Sequence, residues 1–390
     1  MNKIAAPDCS AIDHAAMESA SAGAKAVLKH HSRSFWIASR FLPADVRDSV
    51  HALYAWCRTV DDAVDEALCS GSAELLLNHL EGDLDRMQAG HFGNHPASIW
   101  IRPLVVAGSI NIAIAKELIA GMRMDLHAFR IANDSDLQKY CYHAAGTVGL
   151  MMSGLMGTQN SRSVQHAIAL GVAMQLTNIA RDVREDAERG RSYLPGITDP
   201  LRCDPAAVRS AVASLLASAE SQYRIASAGI KYLRWDCRLA IRCASALYRE
   251  IGREIQRNDY QVLHGRIVVG KLRILWVLIL TLCGSIIEML KNLITFAFFS
   301  IFKPTQEFSM NQSSSPDPIA KASTVGQAKH LAFLGLSLTA IMATALFVMV
   351  FMNPKDDVYS KLPLIYAGGS LIFAVLFNRL AARCDTRSKE

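Results

Sequence analysis

The chain has 390 residues, of which 51% are hydrophobic and 19% charged, with 41 basic against 35 acidic side chains and a net charge of +6. This length suits one large domain or two moderate ones, and so apolar a balance points to membrane segments rather than to an ordinary cytosolic enzyme. The mild charge, without any block of like sign, excludes a nucleic-acid-binding protein and is compatible with an anionic lipid or anionic substrate.

From Met1 to Gly23 the chain carries Asp8, Asp13 and Glu18 and lacks an apolar core, which argues against a secretory signal. Its nine cysteines are scattered without a C-x-x-C pair, so neither a zinc site nor a redox dithiol is expected and reduced thiols are the simple reading. Between about Ala24 and Gly270 apolar residues recur with helical period, and Ala, Leu and Met are abundant. Breaks are expected at Leu42-Pro43, from Gly90 to Pro96 and from Leu194 to Pro205. The expectation is an all-α domain of roughly ten helices, at residues 24–273.

Beyond it, residues 274–302 are apolar but interrupted by Glu288 and Lys291, compatible with a bent membrane span or a helix lying at the interface. Residues 303–328 are polar and rich in Ser and Pro, a linker composition. A helical hairpin across the membrane is expected at 329–380. Its first arm, Leu331 to Met352, has 22 uncharged residues, enough to cross a hydrocarbon layer of about 30 Å, and its second, Leu362 to Phe377, has 16. Lys321 and Lys329 before the hairpin, with Arg379, Arg383, Arg387 and Lys389 after it, outnumber Lys355 and Lys361 in its loop. Both ends, and the helical domain with them, are therefore expected on the cytoplasmic side of the membrane.

Two acidic clusters carry the chemistry. Asp61 and Asp65, and again Asp182 and Asp186, are spaced i, i+4, which puts both carboxylates of a pair on one helix face about 5–6 Å apart at Cβ. Like charges so placed destabilise a helix and call for a cation. Oxygen donors without His or Cys point to Mg²⁺ or Mn²⁺, and Asn178 stands one turn before the second cluster. Arg58, Arg181 and Arg184 stand beside the clusters, and guanidinium groups suit a diphosphate because they donate bidentate hydrogen bonds. Solvated acidic helix faces with locally paired arginines are the plain alternative for either cluster taken alone. Loss of diphosphate from an allylic carbon would leave a carbocation that needs walls excluding water and aromatic or dipolar groups nearby.

Several segments resemble the squalene/phytoene synthase family. They are His31-Ser32-Arg33-Ser34-Phe35; Ala52 to Arg58 running into Asp61 to Asp65; Gly121 to Leu126; Tyr140 to Gly149; and Gln175 to Asp186 continuing through Gly190 to Pro195. The resemblance extends over roughly Lys29 to Arg273. It implies an isoprenoid synthase-type helical bundle that joins two allylic diphosphates into a cyclopropylcarbinyl diphosphate and rearranges this to a linear hydrocarbon. It also implies that Asp61, Asp65, Asp182 and Asp186 hold Mg²⁺-diphosphate, with Asn178 and Gln175 supporting the second pair. Arg58, Tyr54, Arg181, Tyr248 and Arg266 would contact diphosphate, as would Ser32, Ser34 and Phe35. Tyr140 would handle a proton or stabilise the cation.

The Gly121–Leu126 block and the stretch from Asn258-Asp259-Tyr260 to Leu272 are more similar to the phytoene-forming members, which use two geranylgeranyl diphosphates and no NADPH. A C-terminal anchor is more usual in squalene synthases, so synthesis of squalene or dehydrosqualene from farnesyl diphosphate is the alternative. A non-catalytic membrane scaffold is a remoter one, since a scaffold has no reason to keep repelling carboxylates. The expected partners are the prenyl diphosphate, membrane lipid and downstream carotenoid enzymes.

Overall fold

The computed structural model describes residues 9–126, 130–158 and 160–302, and side chains from 19 to 289 within them. Compact units divide between Ser285 and Ile286. The expected linker and membrane hairpin, residues 303–328 and 329–380, lie outside the described residues.

Among the described residues there are twelve α-helices and no strand. They are α1 (Cys9–His31), α2 (Arg33–Ser39), α3 (Ala44–Asp65), α4 (Ser70–Gln88), α5 (Ser98–Val106), α6 (Ile112–Leu126), α7 (Asp134–Cys141), α8 (Thr147–Leu155), α9 (Val164–Glu188), α10 (Pro205–Gly229), α11 (Arg238–Arg257) and α12 (Lys271–Phe302). The expected breaks fall between α2 and α3, α4 and α5, and α9 and α10. Shorter interruptions, such as that between α3 and α4, raise the count above ten.

The helix starts follow local chemistry. Ser32 caps α2 by accepting from the Phe35 amide at 3.3 Å, and Asn133 caps α7 by accepting from Asp136 at 3.0 Å. Asp204 accepts from Ala206 at 3.0 Å, with Pro205 in the first turn of α10, where its missing N–H costs nothing. α3 buries Val46, Val50, Leu53, Trp56, Val60 and Val64. This is the stripe that a helix lays against a core.

From Leu53 onward that stripe packs with Leu77, Leu80 and Leu84 of α4, Ile101 of α5 and Leu118 and Ile119 of α6 into the main core. A smaller core joins Val46 and Val50 to Cys237 and Ala240 at the start of α11. α9 runs through the bundle against α8, α10 and α11.

Two features set the position of the site. Between α7 and α8 the chain takes a single π-helical turn, Tyr142–Gly146, whose wider coil lets the following helix approach α9 closely. The approach is so tight that a Cβ at Gly171 of α9 would overlap the carbonyl oxygen of Ala145. After α11, Asp259 (φ 52°) and Tyr260 (φ 55°) lie in the left-handed region, which costs roughly 1–3 kcal/mol for each non-glycine residue. This strained reversal turns the strap 261–270 back along the bundle.

Candidate active site

Between the helices lies a cavity of about 800 Å³. Apolar side chains such as Leu118, Met122, Val148, Met152, Leu170, Met174 and Leu247 form much of its wall. All fifteen residues that the family resemblance implies line it: Ser32, Ser34 and Phe35 from the start of α2, Tyr54, Arg58, Asp61 and Asp65 from α3, Tyr140 from α7, Gln175, Asn178, Arg181, Asp182 and Asp186 from α9, Tyr248 from α11, and Arg266 from the strap. Arg184 does not. It lies on the outer side of α9, where it donates to Glu188 at 2.7 Å and to the Leu263 carbonyl at 3.3 Å.

The two aspartate pairs meet at one end of the cavity through arginines. Arg58 donates to Asp61 at 3.0 Å and pairs with Asp62. Arg181 grips Asp182 with both edges of its fork, at 2.8 and 2.5 Å, and Arg266 approaches Asp182 and Glu185, each at 3.3 Å. Arg191 and Arg189, in the segment that leaves α9, reach across to Asp65 of α3 at 2.6 and 3.3 Å.

Negative charge is nevertheless crowded there. Asp61 is reachable by water but walled by protein, and burial, with Asp65 next, pushes its carboxyl up to about 6. Burial, with Asp182 next, pushes Asp186 up to about 7. The Asn178 amide oxygen is buried with no hydrogen-bond partner, its nitrogen lying 3.5 Å from Gln175. Among the described residues no three His, Cys, Asp or Glu side chains converge tightly enough to enclose a metal ion on their own.

Next to the acidic end stands a polar group that spacing did not reveal. Tyr140 and Tyr193 stack with ring centroids 4.6 Å apart, and both donate to Asp125, at 3.1 and 2.8 Å. Burial raises the Asp125 carboxyl above the usual range and raises the Tyr140 hydroxyl well above its own, so both tyrosines remain protonated donors. Near α2, Phe35 packs against Tyr54 at 6.0 Å and Tyr248 at 5.0 Å, with the Ser32 hydroxyl in hydrogen-bonding reach of both tyrosines.

Asp125, Tyr193, Arg189 and Arg191 are thus site residues that the sequence reading did not assign. Asp125, Arg191 and Tyr193 do lie inside the quoted blocks Gly121–Leu126 and Gly190–Pro195, which was the available signal.

A bundle of α-helices around a deep apolar cavity, with two aspartate-bearing helices facing across one end, defines an all-α isoprenoid synthase-type fold. The family model described as squalene/phytoene synthase matches residues 28–273, and the chain belongs to that family. Among curated relatives, the 15-cis-phytoene synthase of Enterobacter agglomerans is 39% identical over 249 residues, 59% of this chain and 84% of that protein. The phytoene synthase of Rhodobacter capsulatus is 36% identical over 262 residues, 64% of this chain and 77% of that one. A crystal structure of a dehydrosqualene synthase in complex with ligand superposes with a TM-score of 0.63 at 29% identity, covering 70% of this chain and 98% of that chain.

Proposed function

We propose that this enzyme is a prenyltransferase of the phytoene synthase type. It condenses two geranylgeranyl diphosphates head-to-head through a cyclopropylcarbinyl diphosphate and releases diphosphate in carotenoid biosynthesis. The observation that carries the reading is the pair of aspartate helices, α3 and α9, set across one end of an apolar cavity of about 800 Å³. The curated relatives at 36–39% identity are named phytoene synthases, which favours the C20 substrate over the C15 one.

The residues fit a hard divalent cation, Mg²⁺ or Mn²⁺. Asp61, Asp65, Asp182 and Asp186 with the unpartnered Asn178 oxygen form an oxygen-only donor set, and burial, followed by the neighbouring carboxylates, raises the carboxyls of Asp61 and Asp186. When bound, the cation supplies positive charge against the departing diphosphate.

The chain's own groups do the rest. Arg58, Arg181, Arg266 and Arg191 can exchange their carboxylate partners for diphosphate oxygens, and Gln175 supports Asn178. Ser32, Ser34, Tyr54 and Tyr248 orient the diphosphate end. Tyr140, held by Asp125 and stacked on Tyr193, presents an aromatic face and a hydroxyl oxygen to developing positive charge, and the proton lost from the cation passes to the released diphosphate. The aliphatic wall excludes water that would quench it. No NADPH is needed for a product formed by proton loss.

The hairpin at 329–380 anchors the enzyme in a membrane with the catalytic domain on the cytoplasmic side. The test is incubation of detergent-solubilised full-length protein with geranylgeranyl or farnesyl diphosphate and Mg²⁺, with and without NADPH. A C40 hydrocarbon from geranylgeranyl diphosphate without NADPH is expected. A C30 product from farnesyl diphosphate alone would replace this reading with squalene or dehydrosqualene synthesis.

A further inference from the structure

The first half of α12 is apolar on two opposite faces. One face is core: Ile274, Val277, Leu278 and Leu282 are all at most 8% exposed within the catalytic unit. The other carries Leu272, Trp276 and Leu280 at i, i+4, i+8, exposed by 83, 51 and 53%. Over Lys271–Met289 the mean hydropathy is 1.9, enough for a membrane span by length and composition. A span, however, must be ringed by lipid or by apolar protein inside the bilayer. The stretch Ile274–Leu282 instead packs into the catalytic unit, so this half of α12 cannot cross a bilayer. It can lie along one.

Three observations say what covers the exposed face. The helix begins among cations: Lys271 is exposed, and Arg253, Arg257 and Arg273, each about half exposed, surround Glu250. The fully buried Glu250 carboxylate accepts from all three at 3.1, 2.6 and 2.6 Å, and so fixes the start of α12 on α11. Trp276, with an apolar ring and an N–H donor, is a residue that prefers the headgroup level. Further along the chain, the two uncharged runs Leu331–Met352 and Leu362–Phe377 have the apolar composition of membrane-seeking segments.

The cavity reaches the start of α12. Ile267, Val268, Val269 and the core-facing Ile274 line it, and Val268, in the strap four residues before Leu272, is at the same time 71% exposed. Val268 therefore joins the apolar lining to the surface beside the start of α12.

We propose that Leu272, Trp276 and Leu280, with Val268 at the rim, form a docking face that lies along an anionic bilayer and opens the cavity sideways into lipid. The hydrocarbon then leaves without crossing water. This last step rests on the proposed function; the docking itself does not.

Full-length protein in vesicles of phosphatidylcholine and phosphatidylglycerol (3:1) tests it. Two exposed thiols serve as internal probes: Cys283, which extends the docking face, and Cys69, at the start of α4. With a membrane-impermeant maleimide and site-resolved mass spectrometry, Cys283 should label at least ten-fold more slowly than Cys69 in the same molecules. The fluorescence lost in Trp276→Phe should be the part quenched best by lipids brominated near the headgroup.

Equal labelling of the two thiols overturns the proposal. So does best quenching of Trp276 from the bilayer centre, or lipid-independent protection with Cys283–Cys283 cross-links, which would put a second copy on this face. The double variant Leu272→Glu/Leu280→Glu should keep turnover in detergent and lose about ten-fold in vesicles; equal turnover in both overturns the sideways opening. Absence of a C40 product from the parent in detergent would instead count against the proposed function, and the labelling result would stand apart from it.

Discussion

Arg191 holds Asp65 across the mouth of the cavity, Nη1 to Oδ1 at 2.6 Å, although 126 positions separate them in the chain. Arg189 approaches the same carboxylate at 3.3 Å, so the segment leaving the second aspartate helix is clamped to the end of the first. Burial works against the charged guanidinium, and the Asp65 hydrogen bond together with the electrostatic pull of Tyr193, Asp125 and Asp65 outweighs it. Arg191→Met should reduce kcat/KM about 10–100-fold, the equivalent of roughly 1.5–3 kcal/mol for a hydrogen bond to a charged group. Steady-state kinetics beside circular dichroism checks this, and wild-type kcat/KM in a folded variant would remove Arg191 from the site.

Asp61→Asn and Asp182→Asn each remove a proposed cation ligand and also relieve like-charge repulsion within their helix. Each should abolish turnover, by at least about 10³-fold, while the helical circular dichroism and the melting temperature hold or rise. Turnover preserved in both would sink the metal assignment.

The metal assignment also has a pH signature. Asp186 at about 7 and Asp61 at about 6 lie above the ordinary aspartate value, chiefly through burial and then through neighbouring carboxylates. A carboxyl raised in the folded state stabilises the protein fully below about pH 4 and loses that contribution as pH rises through 6 to 7. In EDTA, Asp186→Asn should therefore melt a few degrees above the parent at pH 8, with the gap narrowing towards pH 5. Mg²⁺ with inorganic diphosphate should raise the parent at pH 8 more than at pH 5, and the variant little at either. Melting differences that ignore pH would show that these carboxyls are not crowded.

Much of this site is legible in the sequence because its residues repeat at helical spacing. The i, i+4 pairs, and Asn178 one turn before Asp182, share a face by helix geometry alone, and the structure sets all of them on the cavity. The same geometry explains the error at Arg184. Two residues beyond Asp182 is about 200° around the helix, so Arg184 faces away, to Glu188 and Leu263. Asp125 is different in kind. Nothing within Gly121–Leu126 indicates that two tyrosines, 15 and 68 positions later, will converge on one carboxylate. Only tertiary packing brings them together.

That convergence gives a prediction separate from the metal. Tyr193→Phe keeps the stack on Tyr140 but removes one of the two donors to Asp125. The buried carboxylate then loses a bond, at a cost of about 1–3 kcal/mol. The expected result is a kcat lowered about ten-fold with KM within two-fold, since Asp125, which holds the Tyr140 hydroxyl, loses one of its two anchors while the diphosphate groups are untouched. A change in KM alone would place Tyr193 in substrate binding.

The π-helical turn can be tested through the glycine it faces. Gly171 has ordinary helical backbone, so its value lies in the missing side chain: a Cβ there would overlap the Ala145 carbonyl oxygen and press on Gly146. Backbone, unlike a side chain, cannot rotate away, so α9 must move off the turn between α7 and α8. Gly171→Ala should cost about 1–3 kcal/mol, as overpacking does, and lower the melting temperature by several degrees. Because α9 carries Asp182 and α7 carries Tyr140, activity should fall further than stability does when compared at a temperature where both proteins are folded. Gly154→Ala is the control, since its Cβ would meet only the Ser109 carbonyl at 2.8 Å, away from α9. A comparable loss of stability there, with kcat/KM unchanged, would separate crowding in general from displacement of the aspartate helix.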